Sequence, residues 1–145
     1  MTDVTVERVI ARPRADVAAY MTDWRNDPTW IGALRDVRLV TDGPLAVGSQ
    51  VERVAGFLGR RIEYVNEVAE LDPGSRLVMR SVRAPFPMTV TYEFEDAAGG
   101  ATRVRIRAQG DASGFYRLAG PLLSRAVERG IRGDLDRLAT LLEVR

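Results

Sequence analysis

The chain contains neither histidine nor cysteine. That removes the commonest general base, the Ser-His-Asp arrangement, thiol nucleophiles, disulfides and most transition-metal sites. Any chemistry must come from carboxylates, tyrosine, serine or threonine, arginine or bound water. The most telling spacing lies in Arg60–Leu71, where Ile62, Tyr64, Asn66 and Val68 alternate with Arg61, Glu63, Val65 and Glu67. At the strand period of two, each set shares a face. An inward amide such as Asn66 must find a hydrogen-bond partner, whether a backbone group, a water or a ligand oxygen. Tyr64 and Tyr92 are either core residues with satisfied hydroxyls or polar handles on a ligand. Met79 and Met88 fill gaps in a core or soften a pocket wall, with Ser81 on the same face as Met79. Trp30 is either a structural plug or a cavity wall. The faces of Arg53 and Arg80 depend on register, which a one-residue slip reverses. An inward arginine would need a carboxylate or an anionic ligand group, because an unpaired buried charge is very costly.

These residues need a scaffold, and the C-terminal stretch indicates which. From Ser113 to Arg145, Leu118, Leu122, Leu123, Ala126, Val127, Ile131, Leu135, Leu138 and Leu142 recur at helical spacing. A helix from Pro121 to Glu143 would be roughly 35 Å long at about 1.5 Å per residue. It must lie lengthwise against something broad, and the only broad partner upstream is a set of strands. Gly130 and Gly133 interrupt the helix, either to pack closely against strand side chains or to leave room for a ligand. Leu122, Ala126 and Gly130 then face Tyr64, Met79, Met88 and Tyr92 across a gap.

Upstream, Thr2 to Ala11 alternates as a first strand, and Pro13 opens a short helix over Ala15–Met21. Asp23–Leu34 reads as a second short helix or turn, and Val37–Val40 as a short strand. Longer strands follow at Gln50–Phe57, Arg60–Leu71, Arg76–Arg83, Met88–Glu95 and Thr102–Gly110, with turns at Asp72-Pro73-Gly74 and Asp96–Gly100. Arg103, Arg105 and Arg107 point outward, most simply as a solvated face with cross-strand carboxylates, with an anionic partner as the lesser reading. Phe57 and Phe86 lie near turns, to gate a cavity or cap the core. Consecutive strands with short turns pair antiparallel. Capped on one face by a helix, they form an α+β domain whose sheet curls around that helix.

The 145 residues are expected to form a single domain, 1–145. Net charge is +1, from 21 arginines against 20 acidic residues, which argues against a nucleic-acid footprint. No apolar run reaches membrane-spanning length, so no membrane span is expected and the cytoplasm is the default location. No metal and no cofactor are expected.

The order of elements resembles the START-like (SRPBCC) superfamily with its helix-grip fold, nearest its polyketide cyclase/dehydrase branch. The resemblance is carried by the opening strand before Pro13, Pro28-Thr29-Trp30, and Glu67-Val68 with Leu71-Asp72-Pro73-Gly74-Ser75-Arg76-Leu77. Tyr92-Glu93-Phe94, Gly100-Ala101-Thr102-Arg103-Val104 and Asp134-Leu135-Asp136-Arg137-Leu138 extend it to nearly the whole chain. The resemblance implies a hydrophobic cavity between curled sheet and long helix, with Trp30, Tyr64, Asn66, Met79, Ser81, Met88, Tyr92, Leu122, Ala126 and Gly130 as ligand-binding candidates. It carries over no catalytic residue, and a homodimer stays open. Three functions compete: a carrier or sensor of a hydrophobic small molecule of lipid, polyketide or aromatic type, a polyketide cyclase, aromatase or dehydratase, and a protein- or ribosome-interaction module. A closed, dry cavity would favour the first, convergent polar groups with an inward charge the second, and an exposed apolar patch the third.

Overall fold

The computed structural model describes residues 1–144. Strand β1 (Thr2–Ile10) leads into helix α1 (Arg14–Met21), a 3-10 turn (Trp24–Asn26) and the short helix α2 (Asp27–Trp30). Strands β2 (Leu34–Leu39), β3 (Gln50–Phe57), β4 (Arg60–Asp72), β5 (Arg76–Arg83), β6 (Met88–Ala97) and β7 (Ala101–Gly110) follow. A short helix α3 (Ser113–Tyr116) precedes the 24-residue helix α4 (Gly120–Glu143). The sheet order is β1-β7-β6-β5-β4-β3-β2, with every pairing antiparallel. This is the expected helix-grip architecture, a curled sheet around one long helix. No helix among the described residues is long and apolar enough to cross a membrane.

Alternation sets the two faces of the sheet. Val4 and Val6 of β1, Val104 and Ile106 of β7, and Tyr92 and Phe94 of β6 turn toward the helix and are buried. The C-terminal half of α4 answers with Leu135, Leu138, Ala139 and Leu142, each at most 3 % exposed. The outer face carries ion pairs, Arg107 with Asp3 at 2.7 Å and Arg105 with Glu7 at 2.8 Å, as the arginine stripe on β7 required. Such exposed pairs contribute little to stability and keep the face wetted. Tethers fix α4 along its length. Arg8 pairs with Asp136 at 2.6 Å, and Glu143 accepts the Ala11 N–H at 2.9 Å. Arg137 donates to the Trp30 carbonyl at 2.7 Å, and Asp134 accepts the Gly32 N–H at 2.9 Å.

Three details depart from the sequence reading. The helical stripe does not begin at Ser113. The chain breaks at Arg117, whose φ of +53° ends α3, and Leu118 lies between the two helices. The strand expected at Val37–Val40 starts earlier, because Leu34 already pairs with Ala55 ahead of a bulge at Arg35. Close packing does not explain Gly133: a methyl group built there meets nothing within 4 Å. Gly133→Ala is therefore expected to raise stability by about 1 kcal/mol through helix propensity alone, as read by denaturant unfolding.

Candidate ligand-binding site

The N-terminal half of α4 does not pack down as its C-terminal half does. Only Leu123 is fully buried there, while Val127, Gly130 and Ile131 stand back from the sheet. The gap is a cavity of about 300 Å³ with mostly apolar walls. Seven of the residues expected at a ligand site line it: Trp30, Tyr64, Asn66, Met79, Met88, Tyr92 and Gly130. Three do not. Leu122 is 55 % exposed, because one helical step of 100° from Leu123 carries it off the inward stripe. Ala126 is half-buried beside that stripe and outside the cavity. Ser81 sits where the β5–β6 ladder has ended, and its hydroxyl accepts the Met88 N–H at 3.0 Å.

The deep end of the cavity is polar. The alternation Val51, Arg53, Ala55 on β3 brings Arg53 inward, leaving it 4 % exposed, whereas Arg80 on β5 is exposed. The Arg53 guanidinium donates through Nη1 to Asp27 Oδ2 at 2.7 Å, with both side chains buried. Its Nη2 lies 3.9 Å from the Met79 sulfur, and its Nε has no partner. Asp27 opens α2, just ahead of Pro28, and its second oxygen is also unpartnered. Burial pushes the Asp27 carboxyl up to about 6, a rise that the Arg53 charge and hydrogen bond only partly offset. Burial likewise raises the Tyr64 and Tyr92 phenols, with Arg53 pulling the other way.

Further polar atoms converge on this end. Asn66 is 3 % exposed, and its amide oxygen has no hydrogen bond. The buried Trp30 indole N–H is directed at the Asp27 carboxyl, and its ring tilts against Tyr92 at 5.9 Å. Neither tyrosine hydroxyl makes a hydrogen bond among the described residues. An orphaned buried polar atom costs about 1–3 kcal/mol, so a cluster beside an empty volume points to an occupant that supplies the missing bonds. Asp134 of α4 adds a carboxylate to the lining, its pKa raised by burial against the opposing pull of the Gly32 N–H and Arg137.

The opposite end is aromatic. Phe57 from the end of β3, Phe86 from the β5–β6 loop and Tyr116 from α3 line it. Tyr116 meets Phe57 edge-on at 5.8 Å and Phe115 at 4.9 Å, while Phe86 stacks obliquely on Phe115 at 5.3 Å. Phe57 and Phe86 are both half-buried in the cavity wall. Asp27 and Tyr116 were not singled out in the sequence, and Asp134 only as part of the C-terminal motif. The only signal for Asp27 was indirect: an inward Arg53 requires a carboxylate.

Residues 1–143 match the family described as polyketide cyclase / dehydrase and lipid transport. The chain belongs to this family. Solved structures share its fold at low identity. The Zhui aromatase/cyclase from Streptomyces sp. R1128 superposes with a TM-score of 0.77 at 18 % identity, over 99 % of this chain and 95 % of the other. The di-domain ARO/CYC BexL, from the BE-7585A biosynthetic pathway, gives 0.74 at 21 % identity, over 97 % of this chain and 46 % of its own. A START superfamily protein from Mycobacterium smegmatis gives 0.74 at 13 % identity, over 100 % and 97 % of the two chains. No curated protein matches the chain by sequence.

Proposed function

We propose that the protein binds a largely apolar small molecule of lipid, polyketide or aromatic type that carries oxygen at one end. The supporting observation is the pair of unpartnered polar atoms on Arg53 and Asn66 in the wall of an otherwise apolar cavity. A ligand hydroxyl at that end would donate to the Asn66 amide oxygen and accept from Arg53 Nε or a tyrosine, and the rest of the molecule would lie against Met88, Leu123 and Val127. Seven of the expected ligand-binding residues fit this placement, and Leu122, Ala126 and Ser81 do not.

The test is displacement of a fluorescent hydrophobic probe, with thermal unfolding in parallel. Gly130→Leu should weaken uptake by roughly tenfold or more, because the added leucine side chain occupies ligand space. The fold should hold, since a Cβ at Gly130 meets only the Phe57 ring, at 3.8 Å. Wild-type protein that takes up no probe would defeat the proposal.

The inward charge favours a second reading, as a cyclase, aromatase or dehydratase. Asp134, with its raised pKa, is suited to remove a proton next to a ketone, and Arg53 with Tyr64 or Tyr92 to hold the resulting enolate oxygen. The enolate carbon would attack a second carbonyl of the same chain, the alkoxide would take up the proton, and loss of water would aromatise the ring. Asp134→Asn that keeps probe affinity but abolishes turnover of a poly-β-ketone would support this reading, and equal turnover would end it.

A further inference from the structure

The rim of the cavity has a composition that neither folding nor ligand enclosure explains. Four segments meet at this end: the β3–β4 turn, the β5–β6 loop, the β7–α3 connection and the first turns of α4. Together residues 57–61, 82–88 and 109–126 contain Arg60, Arg61, Arg83, Arg117 and Arg125 against the single carboxylate Asp111. Arg61 pairs with Glu63. Arg60, Arg83, Arg117 and Arg125 are exposed and have no carboxylate partner among the described residues. Arg60 instead lies 4.0 Å over the Phe115 ring and donates to the Phe115 carbonyl at 2.8 Å. In a chain of net charge +1, this is a local excess of positive charge around an opening.

Apolar side chains stand among these cations. Leu58 is 47 % exposed and Leu122 is 55 % exposed. Leu58 also occupies the first position of a two-residue hairpin turn, with φ of +50° there and +76° at Gly59. Such a turn favours Asn, Asp or Gly at that position, since a branched side chain in the left-handed region is strained. A leucine there serves the isolated fold neither by burial nor by conformation.

We propose that this rim docks on an anionic lipid bilayer, with Leu58 and Leu122 entering the headgroup boundary and Arg83, Arg117 and Arg125 pairing with lipid phosphates. Cationic side chains around protruding apolar ones suit a bilayer, whose charge is spread over a plane above hydrocarbon. An acidic protein would need salt-bridge partners but gives no reason for the strained leucine. Docking here sets the aromatic end of Phe57, Phe86 and Tyr116 against the lipid, so an apolar ligand need not cross water. That transfer rests on the ligand-binding reading above; the docking does not.

The experiment is sedimentation of the full-length protein with phosphatidylcholine vesicles, with and without phosphatidylglycerol. Binding is expected only with phosphatidylglycerol and should fade as salt screens the rim. Arg83→Gln with Arg125→Gln should lower partitioning by roughly fivefold per arginine. Leu58→Asn should weaken binding while leaving thermal stability equal or higher, which separates contact from folding. Gly130→Leu should lose probe uptake yet bind vesicles as the wild type does, so a wild type that binds vesicles but takes up no probe would count against the cavity reading and not against docking. Absence of sedimentation, or Leu58→Asn binding like wild type, would overturn the proposal. Equal affinity for soluble polyglutamate, unaffected by Leu58→Asn, would assign the rim to an acidic protein and overturn it as well.

Discussion

Replacing Arg53 with methionine is expected to destabilise the protein by about 3–5 kcal/mol at pH 7, because it leaves the buried Asp27 carboxylate without its cation. The loss should shrink with acidification. In the wild type, the Asp27 carboxyl lies at about 6, above its ordinary value of 3.8. Between those pH values the folded chain keeps a proton that the unfolded chain releases. Asp27 therefore favours folding on the acid side, and that contribution is lost as pH rises through 6. Two pKa units correspond to about 3 kcal/mol. Below pH 6 Asp27 is mostly neutral with or without Arg53, so variant and wild type converge. The double variant Arg53→Met with Asp27→Leu should recover to within about 1 kcal/mol of wild type at pH 7, since apolar residues of similar volume often replace buried ion pairs without cost. It should nonetheless lose affinity for oxygenated probes. Urea unfolding at pH 5 and pH 7, with probe titration on each variant, checks both halves. A double variant as unstable as the single one would make the pair a structural element and remove its functional role.

Removing residues 120–145 is expected to abolish cooperative unfolding altogether. Helix α4 buries Leu123, Leu135, Leu138 and Leu142 against the sheet. Each buried leucine contributes about 2 kcal/mol, and together they match the whole stability of an ordinary domain, about 5–15 kcal/mol. Val6, Val104 and Ile106 would then face water on the concave side. Calorimetry of the truncated chain should show no transition, and a sharp one would contradict the grip of helix on sheet.

Much of this architecture was legible from periodicity. The strands Gln50–Phe57 and Arg76–Arg83 have the expected ends, because alternation and flanking turn residues coincide there. The face of Tyr64 and Asn66 was legible for the same reason. Arg53 was not, since an arginine within alternating residues reads equally well as solvated until register is known. β4 also carries irregularities at Val65/Asn66 and Val68/Glu70, which no period of two can reveal. Asp27 was hidden in a stretch of charges, tryptophans and Pro28, where no repeat says which carboxylate turns inward. Leu122 misled because two adjacent leucines both fit a helical stripe, and only the partner surface decides between them.

The pairing of β1 with β7 has a consequence for how the chain is made. Thr2 lies opposite Gly110 and Ile10 opposite Thr102, so β1 finds its neighbour only after about a hundred further residues. Strands β2 to β7 form a meander in which each strand pairs with the one just made. β1 must remain unpaired while that meander grows, with its apolar face of Val4 and Val6 uncovered. α4 packs on β1 as well, and it follows β7 in the chain. During translation β1 is thus an exposed, aggregation-prone edge. It is covered only once β7 has paired with it and α4 has packed across it.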